Sequence, residues 1–257
     1  MRATILLAIA TTLIGANAAQ AQDYAHQFYP PEEMERALED VRHETGGQRQ
    51  FSVLVNRFEY RSADGSESGL WDLNAWYGGR LNRLWVRSEA DYSFDIGTFE
   101  ELRVEAVWSR AISPYFDVQA GLAQDFASGS ERTHAVAAIQ GLAPYWFEMS
   151  SRAYLSDRGE LTGLAEVEYE LLLTQRLILQ PRAEVGFSAE DIPDLEAGAG
   201  LTSVQAGLRL RYEIVRQFAP YMGVEWTRSL GDTADYARAA GINPESTAIV
   251  GGVRVRF

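Results

Sequence analysis

The chain has 257 residues, 36 of them acidic and 23 basic, for a formal net charge of −13, and it contains no cysteine. Every basic residue is Arg. That balance disfavours nucleic acid and anionic lipid headgroups as partners and favours cations, while the lack of cysteine excludes disulfides and thiolate metal sites.

The opening stretch, MRATILLAIATTLIGANAAQA, joins an early Arg2 to an apolar run ending at Ile14 and to small residues at Ala19 and Ala21. Residues 1–21 are therefore expected to be a secretory signal cleaved after Ala21, because the run is too short to span ~30 Å and lacks stop-transfer charges. No later stretch offers ~18 consecutive apolar residues. The exported chain is then either a soluble periplasmic domain or a barrel that crosses a membrane with strands.

Residues 22–49 are polar and acidic, and a short helix is predicted from Pro31 to His43. Pro31 suits a helix start, Glu32 and Glu33 favour the N-terminal dipole, and Gly46 with Gly47 would end it. Its apolar positions are sparse, so the segment is expected to be a periplasmic tether that docks weakly or not at all. It holds three candidate metal ligands, His26, Met34 and His43, of which Met34 and His43 lie half a turn apart on a helix and share no face.

From residue 50 to residue 257 the hydrophobic period becomes two. Leu84, Val86, Ala90, Tyr92 and Phe94 alternate with Arg87, Glu89 and Asp91; Leu102, Val104, Ala106 and Trp108 alternate with Arg103 and Glu105. Further on, Leu161, Ala165, Val167 and Leu171 alternate with Glu166, Glu168 and Glu170, and Val204, Leu208 and Leu210 with Arg209 and Arg211. Each run is a strand with one apolar and one charged face. Such runs number about twelve, and single-chain bacterial barrels have even strand counts. Short turns are expected near Leu81–Arg83, Ala111–Pro114, Ala143–Pro144, Thr174–Arg176 and Arg216–Gln217. Longer or more polar loops are expected near Ser62–Gly69, Ser128–Glu131, Ala189–Gly200 and Gly231–Ser246. Short periplasmic turns and long outer loops place both termini in the periplasm.

The last strand, TAIVGGVRVRF, puts Ile249, Val253, Val255 and Phe257 on one face and Arg254 and Arg256 on the other. A final strand ending in an outward Phe resembles the signal read by the outer-membrane barrel assembly machinery. Tyr77, Tyr92, Phe94, Phe116, Phe126, Tyr145, Tyr212, Phe218 and Trp226 fall near strand ends on the outward face, as the aromatic girdles at membrane interfaces do. A soluble sandwich could show the same aromatic period, but it would expose the dense charge of the other face. The fold class is thus all-β: a closed antiparallel transmembrane β-barrel of about twelve strands, preceded by a short, partly helical periplasmic segment.

Soft ligands are scarce within the barrel, since Met149 and Met222 fall in the outward phase and His134 is its sole histidine. The inward phase instead collects carboxylates and guanidiniums, which pair across strands and pack a narrow lumen. Glu166, Glu168 and Glu170 stack three carboxylates on one face, an arrangement whose mutual repulsion a cation relieves. The candidate metal-touching residues are therefore His134, Glu166, Glu168 and Glu170 in the barrel and His26, Met34 and His43 before it. An oxygen-rich set of this kind favours harder cations over soft ones.

Copper enters through a resemblance. The segments SVLVNRFEYR, LNRLWVRSEA, WSRAISPYFDVQAGLAQDF, QGLAPYWFE, EVEYELLLTQRLILQPR, AGLRLRYEI, FAPYMGVEW and GDTAD run in order from Ser52 to Asp235 and are similar to those of the copper resistance protein B family. The resemblance implies an outer-membrane barrel that binds copper ions or passes them across the outer membrane, with lipid and the assembly machinery as partners and no catalytic cofactor. Family members often carry a Met-rich and His-rich segment ahead of the barrel, which here is reduced to His26, Met34 and His43; that departure argues against high-capacity sequestration. Two rivals are a general small-solute porin and an outer-membrane lipid hydrolase. The hydrolase needs a nucleophile beside a base, and His134 is expected to face inward.

Overall fold

A computed structural model describes residues 30–44, 49–63, 65–126 and 131–257. The chain divides into two units, residues 1–49 and residues 50–257. In the first, helix α1 spans Pro31–Glu44, with Glu32 and Glu33 in its first turn and an exposed pair between Arg36 and Glu32 at 3.6 Å. The expected helix is present. The proposed signal sequence, His26 and the glycines expected to stop the helix lie outside the described residues.

The second unit is one antiparallel sheet. Its strands are β1 (Gln50–Ala63), β2 (Ser66–Gly78), β3 (Asn82–Ser93), β4 (Thr98–Ala111), β5 (Phe116–Asp125), β6 (Arg132–Ala143) and β7 (Phe147–Ser156). There follow β8 (Leu161–Glu168), β9 (Leu171–Leu172), β10 (Leu177–Ser188), β11 (Gly200–Tyr212), β12 (Phe218–Ser229) and β13 (Glu245–Arg256). Both β8 and β9 pair with β10, so they are two pieces of one strand interrupted at Tyr169 and Glu170, and the barrel has twelve strands among the described residues. The ring closes where β1 pairs with β13. Phe257 seals that seam, its amide donating to Val53 O at 2.8 Å and its carbonyl accepting from Val53 N at 3.1 Å. Closure joins the first strand of the barrel to the last.

Alternation places apolar side chains outside and charged ones inside, the inverse of a water-soluble fold. Ile249, Met222, Leu122 and Phe58 are 60% or more exposed on the outer face, whereas Glu105, Glu225 and Glu59 are 2–3% exposed inside. A two-sheet sandwich is excluded by both closure and this inversion. The interior also holds a small apolar cluster, Val107, Ala123, Val136 and Tyr154, with Trp85 and Leu164 packed against it.

All the strand connections on the side of Gln50 and Phe257 are short: 79–81, 112–115, 144–146, 173–176 and 213–217. At the opposite end 189–199 and 230–244 are long, and the latter contains helix α2 (Gly231–Ala239), which the sequence pattern did not announce. One expected loop needs correction. Ser62–Gly69 is not a long loop, because β1 and β2 continue to an Ala63–Ser66 pair and turn through two residues. Gly65 takes φ +88°, the left-handed conformation that tight hairpins demand.

Candidate functional site: the charged lumen

On the side of the short turns the lumen widens into a vestibule of about 1060 Å³. Residues of two turns, including Leu81 and Tyr115, line its mouth; Glu148, Glu166, Glu168, Arg152 and Arg254 line its wall. Deeper in, ion pairs fill the cross-section. Arg57 donates to Asp72 at 3.2 Å and Glu89 at 2.8 Å. Arg209 donates to Glu59 at 2.9 and 3.1 Å and to Glu225 at 2.7 Å, and Arg61 closes the set on Glu59 and Glu225, each at 2.9 Å. Across the lumen Arg87 pairs with Glu105 and donates to Gln119 at 2.7 Å and Gln140 at 2.8 Å. Tyr154 also donates to Glu105, at 3.2 Å.

A local irregularity builds part of this plug. A β-bulge between Val55 and Arg57 lets consecutive residues face the lumen, so that both Asn56, at 3.0 Å, and Arg57 bond to Asp72. The inserted residue shifts the phase of the strand, so that beyond it Phe58 and Tyr60 face outward. Arg57, Glu59 and Arg61 lie beyond the point where the alternation of β1 slips by one residue.

Toward the long loops, Arg103 clamps Asp125 through two bonds of 2.6 and 2.7 Å, and Asp125 also bonds to His134 Nε2 at 3.0 Å. Arg132 Nε reaches Glu160 at 3.0 Å, and Arg158 donates to Asp194 at 3.1 Å. The two long loops are stapled together, with Gly198 N donating to Thr233 Oγ1 at 2.9 Å and Tyr236 Oη bonding to Asp191 at 3.0 Å. That carboxylate raises the Tyr236 phenol above its ordinary pKa by accepting a hydrogen bond from the phenol and repelling the phenolate.

The three stacked carboxylates share the inward face but take different partners. Glu166 accepts from Arg182 at 2.8 Å, Glu168 from Gln180, and Glu170 from Arg211 at 2.8 Å and Arg254 at 2.7 Å. His134 is not with them. It pairs with Ser156 across β7 while Glu166 pairs with Ser150, and six residues at ~3.3 Å each put the two levels about 20 Å apart. Met149 and Met222, 46% and 67% exposed, lie on the outer face as expected. Met34 is on α1, partly exposed; His43 is on the same helix with its side chain outside the description. Among the described residues, no group of three or more His, Asp or Glu side chains is arranged to hold a metal ion. Ser156 stands opposite His134, but its hydroxyl donates to Glu160 at 2.8 Å rather than to the imidazole.

Residues 49–257 match the copper resistance protein B precursor family, CopB. The chain belongs to this family. It is 39% identical over 207 residues to copper resistance protein B of Escherichia coli, covering 80% of this chain and 69% of that one. It is 41% identical over 204 residues to a copper resistance protein B homolog of Pseudomonas syringae pv. tomato, covering 79% and 69% of the two chains. Among solved structures, the NanC porin superposes with a TM-score of 0.54 at 14% identity, covering 81% of this chain and all of that one, a likeness of fold alone. The resemblance read from the motifs is thereby confirmed, and a copper-resistance role comes with the family. The match begins at residue 49, where the barrel begins, so this CopB chain shares its barrel with the family independently of residues 1–48.

Proposed function

We propose that the chain is an outer-membrane copper-tolerance barrel that admits copper ions to its vestibule and binds them weakly through carboxylates, without turnover chemistry. The observation that carries this reading is the vestibule itself: a cavity walled by Glu148, Glu166 and Glu168 that ends on a layer of buried ion pairs. Such a blind cavity suits binding, or transfer gated by rearrangement of the pairs, better than the free diffusion of a general porin. The short turns at the end shared with Phe257 support a periplasmic mouth, and the outward Phe257, 72% exposed, suits recognition by the assembly machinery.

Glu166, Glu168 and Glu170 are the proposed barrel ligands. His134, on the far side of the plug, would serve a separate site, and His26, Met34 and His43 a third. Each barrel carboxylate must leave an Arg or Gln partner to take a metal, which keeps affinity low. Oxygen donors favour Cu(II). The ligands act deprotonated, so binding weakens as acid protonates them.

Growth of a deletion strain on graded copper tests the role. The wild-type gene should restore tolerance, and a Glu166→Gln, Glu168→Gln, Glu170→Gln triple variant should restore it only in part. A deletion strain with unchanged copper tolerance but slower uptake of small solutes would favour the porin instead.

A further inference from the structure

Along the inward face of β7 stand Glu148, Ser150 and Arg152, all three on the vestibule wall. Glu148 is exposed and forms neither a hydrogen bond nor an ion pair among the described residues. It lies directly opposite Glu168 on β8, a like-charge pairing that cross-strand neighbours ordinarily avoid. The partly buried Arg152 guanidinium bonds to the Tyr154 phenol and has no carboxylate partner among the described residues. Between the two, the Ser150 hydroxyl is without a partner as well. The arginines beneath the vestibule differ: Arg57, Arg182, Arg209, Arg211 and Arg254 each hold a carboxylate within 3.2 Å.

Glu148 and Arg152 are four residues apart, about 13 Å along the strand, so their side chains approach one another without pairing. They face a cavity of about 1060 Å³, large enough for a small organic molecule, for which pockets of roughly 300–1,000 Å³ are usual. A bare cation answers only the Glu148 end, and Glu166, Glu168 and Glu170 can join it only by leaving Arg182, Gln180, Arg211 and Arg254. A pair of α-amino acids holding Cu(II) through their amine nitrogens and carboxylate oxygens forms a flat complex of zero net charge. Its rim carries N–H donors and carboxylate acceptors together. That combination answers both ends of β7 and opens no ion pair of the plug.

We propose that the vestibule takes copper as a neutral Cu(II) chelate of two α-amino acids, whose carboxylate oxygens accept from Arg152 and whose amine groups donate to Glu148 and Glu168. The proposal rests on the copper-binding reading above and names the form of the cargo. The metal keeps its own nitrogen and oxygen donors, so no bare divalent ion is desolvated on entry.

The test titrates the mature full-length protein in detergent with bis(glycinato)copper(II) and with bis(glycinato)platinum(II), a flat complex that exchanges its glycines too slowly to bind through protein carboxylates. Both should bind, and the platinum complex should displace the copper one, whereas free glycine at the same concentration should not. Arg152→Gln should weaken both by about tenfold or more. Arg152→Lys, which keeps the charge, should lose less, and Arg228→Met on the outer face should lose nothing; heat-modifiable mobility verifies that each variant is folded. Electron paramagnetic resonance of the bound copper should show coupling to nitrogen that changes when the glycine carries ¹⁵N. Failure of the platinum complex to bind, displacement by glycine alone, or bound copper without glycine nitrogen would overturn the chelate while leaving copper binding in place. Failure of the copper aqua ion and the chelate alike would overturn the copper-binding reading and the proposal with it.

Discussion

Replacing Arg87 by Met tests whether the lumen is a dry, paired plug. Arg87 is 7% exposed and Glu105 2%; removal of the guanidinium leaves a buried carboxylate with only the Tyr154 hydroxyl, at 3.2 Å, and strands the acceptor oxygens of Gln119 and Gln140. Breaking one side of a buried pair costs about 3–5 kcal/mol, or roughly two to four powers of ten in the unfolding constant. The double variant Arg87→Met, Glu105→Gln removes the stranded charge and should recover more than half of that loss, so the two substitutions are strongly non-additive. The assay is urea unfolding of barrels refolded into lipid vesicles, followed by tryptophan fluorescence and by heat-modifiable gel mobility. Arg228→Met is the control, since its pair with Glu245 spans 3.9 Å with both side chains at least 50% exposed, and exposed pairs are worth under about 1 kcal/mol. An Arg87→Met barrel as stable as the control, or additive effects in the double variant, would mean a hydrated lumen and refute the plug.

Phe257→Ala should reduce the amount of barrel inserted in outer membranes while leaving the heat-modifiable fraction of what inserts unchanged; equal insertion would remove the terminal Phe as an assembly signal. A Cβ added at Gly163 would meet the Phe187 ring at 2.4 Å and Arg152 O at 2.5 Å, so Gly163→Val should cost about 1–3 kcal/mol by overpacking in the same unfolding assay. Tyr236→Phe removes the bond to Asp191 that joins the two long loops; protease cleavage within 189–199 should then accelerate without loss of barrel, and unchanged cleavage would show that the Gly198–Thr233 contact suffices.

The barrel was legible because its signal is redundant. The two-residue period recurs from strand to strand, so a misread segment such as Ser62–Gly69 does not change the ring. That misreading had a remedy in the sequence: Asp64–Gly65 is the two-residue hairpin signature, outweighed by a polar, small-residue context that looks like a loop. Helix α2 was hidden for a different reason, as nine residues rich in Ala and Asp carry little amphipathic period. For the lumen, phase predicts which side chains enter but not which meet. Glu166, Glu168 and Glu170 were placed on the correct face, yet their partners come from β10, β11 and β13, up to 84 residues away. Arg57 and its neighbours escaped notice because a bulge shifts the phase within β1, so that no single alternation runs through the strand.

The most direct test is titration of the purified mature protein with Cu(II) and Cu(I) at neutral pH, alongside Glu168→Gln, His134→Ala and a variant lacking residues 22–49. Weak Cu(II) binding exceeding that of Cu(I), reduced by Glu168→Gln and largely retained without residues 22–49, is the expected result. Cu(I) bound more tightly than Cu(II), or affinity indifferent to both barrel substitutions and abolished by the deletion, would move the function to His26, Met34 and His43 and contradict the vestibule site.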